Sequence, residues 1–330
     1  MATKVKIELK NSHLTKTQFP AKDDGQNWMD KIQIKFRPNL SLDENTLEFD
    51  LRNADPAIAI LLRRTIMNDT KAAAIEKVGI YYNDSVISDE ILSHRLGLVP
   101  IKAETSKLVP MKRGDEMDSE NTLVFKLDVT CSLKKGVAVE DLDILAEGDK
   151  FEKNVVFSGD LEWVPQKEQL DKFGENGVGC LFKDIVLAKL RPGQSIKLEA
   201  FCQLGTAKDH AKFSNVSTAH YRMKTKVVFK NPITGKRAEK IAKCCKNIFG
   251  IKNSELVLLN EDECSLCRNC LSEGGDDISM QCRTNDFLFE IESLGLKSPE
   301  KLIFESLETI EEKCHNFLTN LEQLNKPFSD

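Results

Sequence analysis

Apolar residues recur through the C-terminal part of the chain at spacings of 4, 3, 4, 3, 4 and 3 residues. Ser298 and Pro299 precede this stripe as an N-cap and first-position pair, so the pattern predicts one helix from about 299 to 324. Such a helix is roughly 39 Å long, which exceeds the width of a small domain. We therefore expect part of it to pack against another chain; the alternative is a helix that lies wholly on its own sheet. The stripe comprises Ile303, Leu307, Ile310, Cys314, Phe317, Leu321 and Leu324.

A second helix is predicted from about 55 to 68. Asp55 suits the N-cap, and Pro56 suits the first helical position. Residues 57–62 are apolar on nearly every side of this helix. A helix of this kind has to be covered on most faces, so it lies either in a deep core or between two chains.

Strand patterns fill the chain between the two helices. Apolar residues alternate with polar ones at residues 47–51 and 123–129, as in half-buried strands. The tetrapeptide Arg-Pro-Gly-Gln at residues 191–194 favours a type II turn and predicts a hairpin that joins 185–190 to 196–201. Because helices that need cover stand at both ends of this strand-rich region, we expect a discontinuous domain. Its chain ends pack together and its middle is inserted.

The composition describes a globular chain with an acidic surface. The 330 residues correspond to about two domains at roughly 150 residues each. Lys and Arg total 47 and Asp and Glu total 52, and the net charge of −5 argues against nucleic-acid binding by the whole chain. No apolar run approaches the ~20 residues of a membrane span, and the N-terminus has no apolar signal core. We therefore expect an intracellular protein.

Four of the ten cysteines form the pattern C-x2-C-x2-C-x11-C. Thiolates two residues apart bind one ion readily, because the turn between them directs both sulfurs inward. The spacing is compatible with four-thiolate zinc and with the opening of a ferredoxin-type iron–sulfur pattern; a surface loop with incidental cysteines is the alternative. A bound metal would be structural, because no His or carboxylate pattern marks an open catalytic position. The candidate ligands are Cys264, Cys267, Cys270 and Cys282.

The sequence contains no catalytic constellation. Asp209 and His210 lie near Ser214 and Ser217, but there is no G-x-S-x-G elbow and no strand–turn–helix context for a nucleophile. No Walker-type loop and no G-x-G-x-x-G motif occurs. Residues 209–217 are therefore interpreted as a loop that bonds to backbone or to a partner. A hydrolase that uses His210 is the less favoured alternative.

Three stretches of the chain resemble one protein family. They are FDLRNADPAIAILLRR at 49–64, NDSVISDEILSHRLGLVPI at 83–101 and KLRPGQSIKLEAFCQLGTAKDHAKFSNVSTAHYR at 189–222. In order and spacing they resemble the larger alpha-like subunit shared by eukaryotic DNA-directed RNA polymerases I and III. More distantly they resemble the polymerase II counterpart, the archaeal D subunit and the bacterial alpha N-terminal domain.

Two features of the resemblance separate the subfamilies. The loop sequence DHAKFSNVSTAHYR is similar to the form found in polymerases I and III. The polymerase II counterpart carries a zinc-binding cysteine cluster in its inserted domain, where this chain has only Cys131, Cys180 and Cys202. The resemblance therefore favours the subunit of polymerases I and III.

The resemblance implies an α+β fold. Its parts are an RNA polymerase alpha-type discontinuous dimerisation domain, an inserted mixed and strand-rich domain, and a long C-terminal dimerisation helix. The implied division is a flexible N-terminal arm at 1–27, a dimerisation domain at 28–79 together with 221–235 and 283–330, an inserted alpha-type domain at 80–220, and a cysteine-containing insertion at 236–282. That insertion falls where archaeal relatives carry a ferredoxin-like segment.

By the same resemblance the chain is a non-catalytic assembly subunit of polymerases I and III, in the nucleus and nucleolus. It would support transcription of ribosomal RNA and of 5S and transfer RNA. It would form a heterodimer with the smaller alpha-like subunit, dock the second-largest subunit and contact other polymerase subunits, without direct contact to nucleic acid or membrane. No cofactor is required, with structural zinc or an iron–sulfur cluster as an option. The alternatives are the equivalent polymerase II subunit and a metal-stabilised RNA-binding module.

The resemblance also implies which residues make these contacts. The heterodimer contacts are Ile58, Leu61, Leu62, Ile303, Leu307, Ile310, Phe317, Leu321 and Leu324. The contacts with the second-largest subunit are Arg63, Arg64, Asp89, Glu90, His94, Arg95, Asp209, His210, Lys212 and Phe213. The chain departs from the family at Ile60, where an Asn is common, at Asn215, where a Pro is common, and at His220, where a Ser is common.

Overall fold

The computed structural model describes residues 4–10, 13–19, 31–37, 43–112, 114–134 and 150–324. Helices and strands are mixed along these residues, so the predicted α+β class is confirmed. The helices are α1 (Pro56–Asn68), α2 (Asp89–Gly97), α3 (Gln169–Phe173), α4 (Gly235–Cys244), α5 (Asn269–Gly274) and α6 (Pro299–Leu324). The strands are β1 (Lys4–Lys10), β2 (His13–Phe19), β3 (Gln33–Phe36), β4 (Thr46–Arg52), β5 (Lys71–Asn83), β6 (Ile101–Lys102), β7 (Leu123–Thr130), β8 (Ser132–Leu133), β9 (Phe151–Glu152), β10 (Val155–Phe157), β11 (Glu162–Val164), β12 (Gly179–Cys180), β13 (Val186–Lys189), β14 (Ser195–Thr206), β15 (Val216–Phe229), β16 (Phe249–Lys252), β17 (Glu255–Leu258) and β18 (Ile278–Ser293).

Two predicted helices are confirmed almost to the residue. α1 covers Pro56–Asn68 and α6 covers Pro299–Leu324. At the start of α6, the Ser298 hydroxyl accepts a hydrogen bond from the Lys301 backbone amide at 3.4 Å, as expected of an N-cap. Local capping and proline signals therefore determine where these helices begin.

The chain forms two compact units. The smaller unit comprises residues 1–35, 50–56 and 223–287. The larger unit comprises residues 36–49, 57–222 and 288–330. The predicted boundary between residues 79 and 80 lies inside strand β5. The division into a dimerisation domain and an inserted domain stays a prediction.

The larger unit contains an antiparallel sheet with the strand order β11–β7–β14–β5. Alternate residues of β7 enter its core, where Leu123, Phe125 and Leu127 are fully buried. Leu92 and Leu96 of α2 belong to the same core. The alternation in the sequence therefore predicted correctly which face of β7 is apolar.

The predicted hairpin between 185–190 and 196–201 is wrong. Its turn is present, because the Gln194 amide donates to the Arg191 carbonyl at 2.9 Å and Gly193 has a φ of 87°. However, β13 pairs with β10, whereas β14 lies between β5 and β7. Both edges of β14 are occupied by longer strands, which leaves no edge for β13.

A second sheet has the strand order β15–β18–β4–β3. In the larger unit, the Phe49 ring stacks on Phe289 with a centroid distance of 4.9 Å, and the Tyr221 ring lies 5.0 Å from Phe289. Leu302 and Ile303, in the first turn of α6, are fully buried in the same unit. The base of α6 is thus part of this unit's core.

The smaller unit has a core of its own. Ile241 of α4, Phe249 of β16 and Leu256 of β17 are buried in one cluster with Cys264 and Cys270. The hairpin β16–β17 and the helices α4 and α5 therefore form a small packed module around the cysteine-containing segment.

The smaller unit also contains a buried charge cluster. Lys224 Nζ lies 2.9 Å from the Asp50 carboxylate and 3.3 Å from Asp262, and the Lys224 and Asp50 side chains are 9% and 5% exposed. Arg52 is a second partner of Asp50 at 2.9 Å. The buried carboxylate is thus compensated by two cations.

Part of the predicted flexible arm has regular structure. β1 and β2 form an antiparallel pair in which Lys10 lies opposite His13. Val5, Ile7 and Leu9 of β1 alternate with polar residues, and β1 pairs with a strand of the same chain. The rest of the arm at 1–27 lies outside the described residues.

Candidate assembly surfaces

Helix α1 packs one face on the core and exposes the other. Ala59 and Leu62 are buried, whereas Ile60 and Leu61 each keep 40% of their surface exposed. Ile58 is half-buried. The described residues therefore cover only one side of a helix that is apolar nearly all round. The other face presents apolar side chains that a second chain could cover.

Helix α6 leaves the core after its first three turns. Residues 311–323 are all exposed. Along the stripe, Leu307 is 42% exposed, Phe317 63% and Leu321 39%, while Ile310 is half-buried. The alternative of a helix lying wholly on its own sheet is therefore wrong. An exposed apolar stripe of this kind is typical of a surface that binds another protein.

Two residues predicted to contact the partner are core residues of this chain. Leu62 is 3% exposed and Ile303 is 2% exposed. Periodicity did not identify them as core residues, because the face that packs internally is also apolar. The Leu324 side chain lies outside the described residues. Conversely, the prediction missed Leu318, which is 57% exposed and lies three residues before Leu321, on the same helix face.

A groove of about 500 Å³ lies between α1 and α6. Leu61 supplies apolar surface to it, and Arg64 and Lys208 supply positive charge. Lys313 of α6 lies 2.7 Å from the carboxylate of Asp69, directly after α1. This groove suits an apolar side chain that is flanked by carboxylates.

A smaller groove of about 130 Å³ brings predicted docking residues together from distant parts of the sequence. His94 of α2 lines it, together with His210 and Lys212. Lys212 Nζ lies 2.5 Å from the Glu76 carboxylate and donates to the Ile75 carbonyl at 2.8 Å. The Lys212 backbone amide donates to Nδ1 of His210 at 3.1 Å, so Nε2 is the ring nitrogen of His210 that a partner can reach.

Two of the arginines predicted to dock a partner bind groups of their own chain. Arg63 Nε donates to the Ala219 carbonyl at 2.9 Å, and Arg95 Nε donates to the Leu187 carbonyl at 3.1 Å. Each guanidinium therefore fixes a neighbouring strand. Arg64, in contrast, is exposed and lines the larger groove.

Phe213 and Asp209 stabilise the loop at residues 209–217, the docking loop, through contacts within the chain. Phe213 is 4% exposed, and a Cβ at Gly205 would come within 2.5 Å of its ring. The Asp209 carboxylate accepts a hydrogen bond from the Thr206 hydroxyl at 2.8 Å. Phe213 is thus a packing residue of the loop. Two further predicted docking residues are exposed at the start of α2: Asp89 and Glu90.

The four cysteines predicted as metal ligands differ in burial, and Cys264 and Cys267 lie near Cys270. Cys264 and Cys270 are buried in the core of the smaller unit, and Cys267 and Cys282 are exposed. In the part of the chain that the structure describes, no group of three or more His, Cys, Asp or Glu side chains is arranged for metal binding. Burial raises the pKa of the Cys270 thiol, and the nearby Cys264 and Cys267 raise it further. Whether this segment binds a metal stays a prediction.

One cysteine outside the predicted pattern lies beside it. The Cys245 thiol hydrogen-bonds with Cys267, and burial raises the pKa of Cys245 to about 11. The sequence offered no spacing signal for this contact, because the two residues belong to different elements.

Known proteins are similar to this chain over nearly its whole length. The family model "RNA polymerase Rpb3/RpoA insert domain" matches residues 75–229. The protein named DNA-directed RNA polymerases I and III subunit RPAC1 from Bos taurus is 34% identical over 332 residues, which cover 95% of this chain and 93% of that protein. This chain belongs to the RPAC1 family.

Further relatives agree with membership of the RPAC1 family. The RPAC1 protein of Saccharomyces cerevisiae is 34% identical over 316 residues, covering 92% of this chain and 93% of its own. The archaeal RNA polymerase subunit Rpo3 of Methanosphaera stadtmanae is 28% identical over 281 residues, covering 84% of this chain and 94% of its own. The resemblance to the subunit of polymerases I and III is therefore confirmed. Among the described helices, none combines the length and apolar character needed to cross a bilayer.

Proposed function

We propose that this chain is the larger alpha-like subunit of RNA polymerases I and III, which assembles the enzyme and carries no catalytic residue. The observation that carries the proposal is the exposed apolar stripe of α6 in a chain that is similar to RPAC1 proteins along 95% of its length. A partner that covers this stripe removes apolar surface from water, which lowers the free energy of the complex.

The smaller alpha-like subunit covers the exposed faces of α1 and α6 in this proposal. Leu61, Leu307 and Phe317 are apolar and 40%, 42% and 63% exposed, so their burial supplies the binding energy. Arg64 was predicted to contact the second-largest subunit, but together with Lys208 it lines the groove between the two helices, so we assign it to the smaller subunit. We expect the partner helix to place carboxylates next to its apolar residues at this groove.

The second-largest subunit binds the groove of α2 and the 209–217 loop in this proposal. His94 and His210 line that groove, and Asp89 and Glu90 are exposed beside it at the start of α2. These groups offer hydrogen bonds and charge, and Val78 and Leu98 add apolar surface to the same groove.

The cellular setting follows from the same proposal. The subunit works in the nucleus, including the nucleolus, within the polymerases that make ribosomal, 5S and transfer RNA. Its net charge of −5 supports a position away from the DNA. Other chains of the polymerase carry the active site.

No cofactor is required in this proposal. What supports it is that Cys264 and Cys270 pack among apolar side chains in the core of the smaller unit. Elemental analysis of the purified chain is the test, and we expect less than stoichiometric zinc and iron. One zinc ion or one iron–sulfur cluster per chain would overturn this part of the proposal.

Affinity purification of the tagged chain from its own cells tests the proposal. We expect mass spectrometry to recover the smaller alpha-like subunit and the largest subunits of both polymerase I and polymerase III. A Phe317→Ala/Leu321→Ala variant is expected to recover much less of the smaller alpha-like subunit. A His94→Ala/His210→Ala variant is expected to keep the smaller alpha-like subunit and to lose the second-largest subunit.

Two outcomes would contradict the proposal. Recovery of polymerase II subunits alone would assign the chain to the sister enzyme. If no polymerase subunit is recovered with the unmodified chain, the similarity to RPAC1 proteins would indicate a shared fold and not a shared function.

A further inference from the structure

Helix α6 is held at its base and exposed along the rest of its length. Ile303 and Ser306 are fully buried, whereas residues 311–323 are all exposed. Lys313 joins the exposed part to Asp69 through an ion pair, and ion pairs at a surface contribute little to stability. The direction of the helix is therefore set mainly at its base.

A buried lysine lies just before this base. The Lys297 side chain is 5% exposed, and its Nζ lies 2.7 Å from the Glu305 carboxylate and donates to the Lys71 carbonyl at 2.8 Å. A buried ammonium persists only where it is paired and hydrogen-bonded. Because Glu305 belongs to α6 and Lys71 begins β5, Lys297 connects the helix to the sheet.

The same backbone carbonyl also receives a hydrogen bond from the docking loop. Asn215 is 1% exposed, and its Nδ2 donates to the Lys71 carbonyl and to the Thr70 hydroxyl, both at 3.1 Å. A carbonyl oxygen has two lone pairs, so it accepts from Lys297 and Asn215 together. The end of α1, the start of β5, the base of α6 and the docking loop are thus connected at one point.

A small rotation at the base of α6 has a large effect at its tip. The helix extends about 24 Å from Glu305 to Leu321, so a tilt of about 10° moves the tip by about 4 Å. Two apolar side chains lose contact when they separate beyond about 4.5 Å. The exposed stripe can therefore meet a partner in register only if the base is held at one angle.

We propose that Lys297 is a positioning residue for heterodimer formation, because its contacts with Glu305 and the Lys71 carbonyl hold α6 at one angle to α1. This inference rests on the proposed function, since it takes α1 and α6 as the surface for the smaller alpha-like subunit. In Lys297→Met both contacts are lost, and α6 samples a range of tilts. Partner binding then has to select the fraction of molecules with the bound tilt, which weakens the apparent affinity.

The test measures two quantities for the full-length chain. The first is the Kd for the smaller alpha-like subunit from the same organism. The second is the distribution of distances between two spin labels, attached through unnatural amino acids at Lys197 in the larger unit and at Glu322 on α6, which is exposed outside the stripe. We expect Lys297→Met to raise the Kd about tenfold, which corresponds to 1.4 kcal/mol, and to broaden the distance distribution.

Two control variants separate positioning from stability. Lys301 lies in the first turn of α6, and its Nζ lies 2.9 Å from the Glu104 carboxylate in an exposed ion pair. Lys301→Met removes this ion pair and is expected to leave the Kd and the distance distribution unchanged. Leu127→Ala removes a fully buried core side chain in β7 and lowers the unfolding temperature. We expect Leu127→Ala to leave the distance distribution narrow and the affinity of the folded chain unchanged.

The outcomes distinguish this inference from the proposed function. If the unmodified chain does not bind the smaller subunit, the proposed function fails. If the unmodified chain binds and Lys297→Met keeps the same Kd and the same distance distribution, the positioning role is wrong. The role is also wrong if Leu127→Ala weakens binding as much as Lys297→Met does.

Discussion

The exposed stripe of α6 gives a quantitative prediction for the heterodimer. Phe317 is 63% exposed and Leu321 is 39% exposed in the free chain. Complete burial of a Phe or Leu side chain is worth about 1.5–3 kcal/mol, so scaling by the exposed fractions gives about 1.5 kcal/mol for Phe317 and about 0.9 kcal/mol for Leu321. The double change Phe317→Ala/Leu321→Ala is therefore expected to raise the Kd about 50-fold, since 1.4 kcal/mol is tenfold.

The assay is isothermal titration of the purified chain with the smaller alpha-like subunit. Because both side chains are exposed before binding, the free energy of unfolding of the free chain is expected to change by less than about 0.5 kcal/mol. Circular dichroism during urea unfolding checks this. A loss of affinity without a loss of stability would locate the effect at the interface.

Asn316 provides a control on the same helix. It is exposed, but it lies about 100° around the helix from Phe317 and about 140° from Leu321, so it faces away from the stripe. Asn316→Ala is expected to leave the Kd within about twofold, as a change outside the contact face does. An unchanged Kd in the double variant, or an equal loss in Asn316→Ala, would refute the assignment of the stripe as the contact face.

Three further changes test other parts of the structure. Gly205→Ala places a Cβ within 2.5 Å of an aromatic ring, and overpacking of this kind is expected to cost about 1–3 kcal/mol in thermal unfolding. Lys224→Met leaves the buried Asp50 with one partner fewer and is expected to cost about 3 kcal/mol in urea unfolding. A hydrogen bond from Asn231 lowers the pKa of Asp277, so the ionised carboxylate stabilises the fold above about pH 4 and this stabilisation is lost as the pH falls through the lowered pKa. In Asp277→Asn the carboxyl no longer titrates, so the free energy of unfolding is expected to fall less steeply below about pH 4.

Local signals in the sequence predicted the helices and several strands well. The Asp55–Pro56 and Ser298–Pro299 pairs located the starts of α1 and α6, because capping depends on residues that are neighbours in the chain. The alternation in β7 predicted its buried face for the same reason. Strand pairing was predicted less well. The turn after β13 was correct, but the partner of β14 depends on strands that are distant in sequence.

The side chains of the candidate surfaces show the same limit. Arg63 and Arg95 have the residue type of a docking surface, yet backbone carbonyls of their own chain bind them. Leu62 and Ile303 follow the apolar pattern of the interface, yet the core buries them. Periodicity and charge describe a side chain's chemistry. Whether that chemistry serves the core or a partner depends on the tertiary packing around it.

The exposed length of α6 also determines what happens to this chain before it meets its partner. Phe304, Leu307, Phe317 and Leu318 stand in water on a single helix. Exposed apolar side chains of this kind promote self-association, and quality control in cells recognises them. We therefore expect chaperones and proteases to recognise a copy made in excess of the proposed partner. The cellular amount of that partner would then limit the amount of this chain.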